Sequence, residues 1–191
     1  MIDDNAYTGL VLKALRFAAD KHRNQRRKNS RGTPYINHLI EVAEMLWNCG
    51  ESIDIITILG GILHDVLEDT DTDSVEIESI FGEDVLLLVQ EVSDDKSLPK
   101  MVRKKLQIEN ASKKSGRAKL VSLADKICNL HDLIYCPPDA WSSERRKGYL
   151  EWSVKVVDGL RGVNSSLDSL FDEMAAEARN KLNKTTVDFE L

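Results

Sequence analysis

The sequence predicts an all-α fold, a compact helical bundle built as a single domain. Apolar residues recur at helical spacing along nearly the whole chain, and no segment alternates apolar and polar residues as a strand does. Gly50, Gly82 and Pro137 fall where helical segments are expected to end. With 191 residues and 42% hydrophobic residues, the chain is long enough to bury one sizeable core.

Three helices are predicted in the first third of the chain. Residues 7–22 and 36–50 are amphipathic, because apolar side chains recur there on one helical face, and Gly50 is expected to end the second helix. Residues 52–65 are apolar nearly all round, which predicts a buried central helix. Their β-branched residues also fit a strand, but the segment exceeds the usual strand length.

Six further helices are predicted downstream. Asp73 followed by Glu76 is typical of a capping box, and it opens a short helix that stops at Gly82. Pro99 suits the first turn of a later helix, and Pro137 ends a long one. The helical segments after Gly82 are residues 83–93, 99–112, 116–135, 139–160 and 164–182. The final residues, 183–191, are expected to fray.

Composition excludes several classes of partner. The net charge of −6 argues against general binding to nucleic acid or to anionic membranes. The longest apolar run is too short to cross a bilayer, and the start of the chain shows no signal-peptide pattern. Cys49, Cys128 and Cys136 form no CxxC pair, so reduced thiols and a cytoplasmic location are expected.

The stretch ILHDVLEDTDTD, residues 62–73, holds one histidine and five carboxylates. Its alternating aspartates match the first ligand positions of an EF-hand calcium loop. However, the sixth position, which requires glycine, is Ser74, and the twelfth, which requires glutamate, is Ile80. A calcium loop is therefore excluded, which leaves a solvated acidic helix end or a metal site.

Two features favour the metal site. Carboxylates are disfavoured at the C-terminal end of a helix, and His64 and Asp65 continue the most apolar segment, where unpaired charge is costly. Adjacent helical residues lie about 100° apart, so these two side chains can converge on one ion. Glu68 and Asp69 lie one turn further along the same faces. Two ligands rarely suffice, so other parts of the chain must supply more.

Other candidate ligands are distant in the sequence. His38 begins a helix, although a lone histidine there is more often structural. Asp125 lies on an otherwise apolar helical face with Asn129 one turn later, and a buried aspartate needs a cationic partner or a metal. His22 and His131 are expected at the surface or in helix packing.

Four stretches in order resemble the HD-domain hydrolases of the RelA/SpoT group: HRNQRRKNSRGTPYINH, LHDVLEDT, FGEDVLLLVQEVSDDKSLPK and LVSLADKICNL. The chain is most similar to the small stand-alone, animal-type form that hydrolyses guanosine tetraphosphate. The resemblance extends over residues 14–162. An isolated His-Asp doublet occurs by chance in many proteins, whereas four motifs with matching order and spacing are specific.

The resemblance implies a metal centre and a catalytic pair. The family's metal ligands fall on His38, His64, Asp65 and Asp125. Glu68 and Asp69 match its acidic pair, which would position a water molecule and take its proton for attack at phosphorus. Nitrogen and oxygen ligands without a thiolate suit Mn²⁺ better than structural zinc, and the resemblance also points to manganese.

The resemblance also implies a set of substrate contacts. Arg27 and Lys28, in a basic run within an acidic protein, would clamp phosphate groups, since arginine offers phosphate a planar fork of donors. The remaining expected contacts are Asn129, Lys100, Trp141, Arg145 and Tyr149. The sequence departs from the family pattern at Leu39, usually proline, and at His131, often arginine; neither belongs to the expected metal or catalytic set.

The implied activity is removal of the 3′-pyrophosphate from guanosine tetra- or pentaphosphate. Two alternatives stay open: the same site removing the 2′-phosphate of NADPH, and a catalytically silent domain that binds a nucleotide or a protein. Loss of a ligand or an acid would mark the silent domain, and none is missing. The chain is expected to lack the synthetase and regulatory domains of long relatives.

The hydrolase domain is expected over residues 1–162. Residues 163–191 would form a C-terminal helix and a frayed tail, either in the same domain or at a dimer contact. The partner expected is a small nucleotide, with no nucleic acid and no membrane. A homo-oligomer, the physiological substrate and the metal used in the cell are left open by the sequence.

Overall fold

Helices form nearly all the regular structure that the computed structural model describes, residues 4–49 and 53–187; side chains are described for residues 7–48 and 53–184. Within these ranges the only β-type pairing is an isolated bridge between Arg26 and Pro34. In chain order the helices are α1 (Asp4–Lys21), α2 (Ile36–Cys49), α3 (Ile55–Leu63), α4 (Val66–Asp69), α5 (Ser74–Phe81), α6 (Glu83–Val92), α7 (Lys100–Ala111), α8 (Gly116–Tyr135), α9 (Ser143–Asp158) and α10 (Ser165–Val187). The predicted all-α fold is confirmed. None of the helices described combines the length and apolar character needed to cross a membrane.

Helix α3 is the buried centre that its apolar composition predicts. It contacts α1, α2, α6 and α8, and every residue from Thr57 to Leu63 is buried. Its two glycines allow this close packing, because a Cβ atom at Gly60 would lie 2.4 Å from a methyl carbon of Leu88. A Cβ atom at Gly61 would lie 2.7 Å from a methyl carbon of Leu46.

The prediction that this helix continues through Asp65 is wrong. Helix α3 ends at Leu63, His64 and Asp65 form a turn, and α4 begins at Val66. The backbone of Asp65 (φ −98°, ψ −3°) lies at the edge of the helical region, which interrupts the regular hydrogen bonding. The interruption is local, because the amide of Asp69 still donates to the carbonyl of Asp65 at 2.8 Å.

The predicted helix ends are mostly confirmed. Asp73 caps α5 by accepting a hydrogen bond from the amide of Glu76 at 2.9 Å, and the helix stops before Gly82, whose φ is 88°. The capping box is incomplete, since the Glu76 carboxylate pairs with Lys21 instead, at 2.7 Å. Pro99 occupies the N-cap of α7, one position before the first helical turn in which it was expected.

Helix α10 packs against α8 and α9 with one apolar face. The side chains buried along this face are Leu167, Phe171, Ala175, Ala178 and Leu182, at the spacing of an amphipathic helix. The helix is described through Val187, and the expectation that residues 183–191 fray stays a prediction. Residues 188–191 and the predicted stop at Gly50 lie outside the described residues.

Two glycines of α9 and its C-cap provide a matched stability test. A Cβ atom at Gly159 would lie 2.7 Å from Ala111 Cβ and 2.9 Å from the backbone nitrogen of Ser112, which cannot move aside freely. Gly159→Ala should therefore lower the free energy of unfolding by about 1–3 kcal/mol. Gly148 is exposed inside the same helix with nothing within 4 Å. Gly148→Ala should raise the free energy of unfolding by about 0.5–1 kcal/mol. Urea denaturation of both variants measures the difference, and equal effects would contradict the close α7–α9 contact.

Candidate active site

A cavity of about 650 Å³ opens beside the turn between α3 and α4. Its walls come from that turn, from the loop joining α6 to α7, and from α7, α8 and α9. This volume is in the range of pockets that bind small molecules. His64, Asp65, Glu68, Asp69 and Asp125, all predicted site residues, line one part of it.

The four predicted metal ligands converge beside this cavity from three elements. The ligand atoms of His38, His64 and Asp65 all lie within 4.8 Å of one another. Asp125 Oδ1 lies 3.1 Å from His38 Nε2 and 3.7 Å from His64 Nε2. His64 Nε2 is buried and lies 3.1 Å from Asp65 Oδ2, but without hydrogen-bond geometry. Two imidazole nitrogens and two carboxylates facing one point fit a divalent cation.

Within this cluster, the charges of neighbouring side chains oppose the effect of burial on the pKa values. Burial alone would lower the pKa of His64, but the carboxylates of Asp65 and Asp125 outweigh burial and raise that pKa well above its usual value. Burial dominates at His38 and lowers its pKa. The pKa of Asp125 lies well below its ordinary value, since Lys126 and His38 outweigh the opposing effect of burial.

Hydrogen bonds from outside the cluster hold three of the four candidate ligands in place, whereas Nδ1 of the fourth, His38, is buried without a partner among the described residues. The Tyr35 hydroxyl donates to Asp65 Oδ2 at 2.5 Å, and His64 Nδ1 donates to the carbonyl oxygen of Gly61 at 2.8 Å, which turns Nε2 toward the cluster. Asp125 accepts hydrogen bonds from Asn129 Nδ2 at 2.6 Å and from Lys126 Nζ at 2.8 Å. Such outer contacts orient metal ligands and restrict their motion.

The predicted acidic pair lies next to this cluster and is held by cations. Glu68 accepts hydrogen bonds from the amide of Asp94 at 3.0 Å and from Arg103 at 3.2 Å. Asp69 accepts one from Lys96 Nζ at 2.5 Å, and Lys96 also lies 3.2 Å from Glu68. Burial raises the pKa of Glu68 despite its bond to the Asp94 amide. A raised pKa makes a carboxylate a better proton acceptor.

The predicted substrate contacts divide between two adjoining cavities. Six of them line the large cavity: Arg27, Lys100, Asn129, Trp141, Arg145 and Tyr149. Lys28 is exposed and lines only a neighbouring cavity of about 240 Å³, whose wall shares Arg27 and Trp141 with the first. The Arg27 guanidinium is already paired, 2.9 Å from Asp132 Oδ2 and 2.7 Å from Asn129 Oδ1.

The part of the cavity formed by α7 and α9 is cationic. Lys104 Nζ lies 4.3 Å from the centre of the Trp152 ring, and the Arg145 guanidinium lies 4.3 Å from that of Trp141. Among the side chains described, no carboxylate forms a salt bridge with either cation. Burial and the neighbouring charge of Lys100 lower the pKa of Lys104. The cavity therefore places acids at one end and uncompensated cations at the other.

Comparison with known proteins identifies the family. The sequence profile described as HD domain matches residues 14–149. This chain belongs to the HD-domain family. It is 49% identical over 175 residues to guanosine-3′,5′-bis(diphosphate) 3′-pyrophosphohydrolase MESH1 of Danio rerio, covering 92% of this chain and 97% of that protein. The human protein of the same name is 52% identical over 158 residues, covering 83% and 88%.

A solved structure supports the same assignment. It is described as "A metazoan ortholog of SpoT hydrolyzes ppGpp and plays a role in starvation responses". This chain superposes on it with a TM-score of 0.84 and 50% identity, covering 86% of this chain and 93% of the other. The HD-domain fold and the resemblance to the stand-alone animal-type form are thereby confirmed.

Several residues that surround this HD-domain site were not among the sequence candidates. Lys96, Arg103, Lys104, Lys126 and Tyr35 all line the cavity. Lys96 and Tyr35 fall within quoted family motifs and Lys126 directly follows Asp125, so position in the motif was the available signal. His131 is exposed, as expected, whereas His22 is buried and stacks on Tyr35 with ring centres 5.0 Å apart.

Metal binding by this HD domain should release about one proton at pH 7. A metal ligand must be deprotonated, and only His64 among the four candidates has a pKa raised above its usual value. Apparent metal affinity should therefore fall about tenfold for each unit of pH below that pKa. Calorimetric titration in two buffers of different ionisation enthalpy counts the protons. Release of none at pH 7 would contradict the proton assigned to His64.

Asp125→Asn should remove most of the metal binding. The substitution keeps the shape of the side chain but replaces a buried carboxylate oxygen that faces both imidazoles. Asp139→Asn is the control, because Asp139 is exposed and lies outside both cavities described above. Metal content of the purified proteins after dialysis against Mn²⁺ measures the effect. Equal metal content in the two variants would show that Asp125 is not a ligand.

Proposed function

We propose that this protein is a Mn²⁺-dependent hydrolase that removes the 3′-pyrophosphate from guanosine tetra- or pentaphosphate, giving GDP or GTP and pyrophosphate. The observation that carries the proposal is the arrangement of one cavity. Two imidazoles and two carboxylates converge beside an acidic pair, and cations line the other end. Relatives similar to this chain along most of its length bear the name of that activity.

The residues of the acidic end have separable tasks in this mechanism. His38, His64, Asp65 and Asp125 would hold the ion, which when bound supplies Lewis acidity and neutralises charge on phosphate oxygens. Glu68 accepts the proton of the attacking water, since burial already raises its pKa. Asp69, which accepts hydrogen bonds from Lys96 at 2.5 Å and from Gln25 at 2.9 Å, orients that water toward phosphorus.

The cationic end suits the remaining phosphates of the substrate. Lys100, Lys104 and Arg145 lie along α7 and α9 at the part of the cavity without compensating carboxylates. We propose that they bind the 5′-phosphates, because charge-assisted bonds to phosphate are strongest where cations have no other partner. Trp141 and Tyr149, with ring centres 5.5 Å apart, would contact the nucleoside between the two ends.

The donor set favours manganese over a thiolate-bound metal. Cys128 is the cysteine nearest to Asp125 in the sequence, but burial raises the pKa of its thiol, so it stays protonated. Nitrogen and oxygen donors suit Mn²⁺. Free thiols at Cys128 and Cys136 are also in keeping with a cytoplasmic location, which we propose.

The proposal predicts pyrophosphate release from guanosine tetraphosphate in the presence of Mn²⁺. Asp69→Asn should retain metal yet lose at least about a hundredfold in kcat, the usual contribution of a residue that handles the proton or the water. Pyrophosphate release and metal content are measured on the same samples. Asp71→Asn is the matched control, since the Asp71 side chain is 94% exposed and two residues away.

Three outcomes decide among the alternatives. No pyrophosphate release by the metal-loaded protein would refute the proposed activity, and lack of retained Mn²⁺ as well would favour a silent binding domain. A higher kcat/KM for NADPH than for guanosine tetraphosphate would assign the site to the 2′-phosphatase alternative. Full activity in Asp69→Asn would show that the role given to Asp69 is wrong.

A further inference from the structure

His22 is a buried histidine that the mechanism above does not use. Its side chain follows the end of α1 and is only 2% exposed. Nδ1 lies 2.6 Å from Gln25 Oε1, and Nε2 is buried without a hydrogen-bond partner among the described residues. A buried polar ring costs free energy that an apolar ring of the same size would not. The single bond to Gln25 is therefore the contact that distinguishes this histidine from phenylalanine.

The orientation of Gln25 determines which ring nitrogen of His22 carries the proton. Gln25 Nε2 lies 2.9 Å from Asp69 Oδ2, and a carboxylate oxygen can only accept a hydrogen bond. The amide nitrogen therefore faces Asp69, and the amide oxygen faces His22. Since that oxygen also only accepts, His22 donates from Nδ1–H. The hydrogen bonds run in one direction, from His22 through Gln25 to Asp69.

The same imidazole also packs against Tyr35, a residue that contacts a candidate metal ligand. Its ring stacks on Tyr35 with ring centres 5.0 Å apart and an angle of 24° between the planes. The Tyr35 hydroxyl in turn donates to Asp65 Oδ2. His22 is thus one residue removed from Asp65, through Tyr35, and one residue removed from Asp69, through Gln25. The ring stacking and the hydrogen bond can be removed separately.

The Asp69 carboxylate needs a second contact to hold its orientation, because its other partner, Lys96, is a partly exposed side chain on a loop. Lys96 binds Asp69 Oδ1 from the loop between α6 and α7, and its side chain is 47% exposed. A carboxylate held only by an exposed lysine can rotate about its Cβ–Cγ bond with that lysine. Gln25, held from behind by a buried ring, fixes the other oxygen and hence the plane of the carboxylate.

We propose that His22 is a positioning residue, which acts through Gln25 to fix the Asp69 carboxylate in the orientation that aligns the attacking water. This inference rests on the proposed function, since it gives the alignment a purpose. Outer-shell contacts of this kind typically contribute ten- to a hundredfold to activity or metal affinity. Here the effect should fall on kcat alone, because the contact reaches the acid and not the metal ligands.

His22→Phe is the decisive substitution, since it keeps a ring to stack on Tyr35 and removes the Nδ1–H donor. We expect kcat for pyrophosphate release to fall about ten- to a hundredfold, with KM and retained Mn²⁺ unchanged. His22→Asn, whose amide nitrogen can take the place of Nδ1, should recover most of kcat. The control His131→Phe alters an exposed histidine whose ring contacts that of Tyr135, with centres 4.7 Å apart, and should leave kcat unchanged.

A double substitution separates positioning from a merely structural role. Gln25→Leu should reduce kcat to a similar extent. Adding His22→Phe to this variant should produce no further loss of kcat, because His22 acts on Asp69 only through Gln25. Losses that multiply, or a fall in retained Mn²⁺ in His22→Phe, would overturn the proposal. If His22→Phe does not fold, as judged by thermal unfolding, Gln25→Leu alone carries the test, and unchanged kcat there overturns it.

A measurement independent of turnover distinguishes failure of this inference from failure of the proposed function. Nitrogen-15 NMR of the histidine rings should show His22 protonated at Nδ1 and unprotonated at Nε2. The opposite tautomer would overturn the proposal whatever the activity. The expected tautomer in a protein that releases no pyrophosphate supports the chain of hydrogen bonds and counts against the proposed function only.

Discussion

The carboxylate of Asp125, whose side chain is only 15% exposed, is the group on which the site depends. One of its oxygens accepts a hydrogen bond from Asn129 and lies 3.1 Å from His38, and the other accepts from Lys126. Lys126 is itself buried, yet the charge of Asp125 outweighs burial and raises the lysine pKa above its ordinary value. Helix α8 packs against α2 and α3, and this packing brings Asp125 next to the candidate ligands of those elements. The charge of Asp125 is therefore compensated only when the three helices are packed together. Removing one member of such a buried set leaves an uncompensated charge, which is costly.

Charge compensation also explains how an acidic cluster is tolerated at the end of the most apolar helix. A bound cation is one source of compensation, but the chain supplies several of its own. The His64 imidazole lies 3.1 Å from Asp65, which raises the pKa of the ring, and Arg103 and Lys96 bind Glu68. These cations come from elements far apart in the sequence, so the acids can be buried before any ion binds. Folding consequently depends less on a bound metal ion than the acidic sequence alone suggests.

Periodicity made much of the fold predictable, because burial on one face leaves a repeating signal. The burial of α3, the cap at Asp73 and the apolar face of α10 follow directly from residue spacing. The break at His64 and Asp65 left no such signal, since apolar residues continue on both sides of it. Contacts between side chains of distant elements leave none either. The pairing of Glu76 with Lys21 and the burial of His22, which lies in a basic segment, therefore required the structure.

Hydrogen bonds join Arg27, in the wall of the cavity, to the candidate metal ligand Asp125. The Arg27 guanidinium binds Asp132 and donates to Asn129 Oδ1, and Asn129 donates in turn to Asp125. Within this set of hydrogen bonds, the Arg27 guanidinium and the Asn129 amide each bond to two partners. Bonds linked in this way strengthen one another and fix the orientation of the side chains. An arginine already held by two partners can meet a phosphate without first losing much side-chain freedom. The wall proposed to bind the nucleotide and the carboxylate proposed to bind the metal are thus parts of one preorganised network.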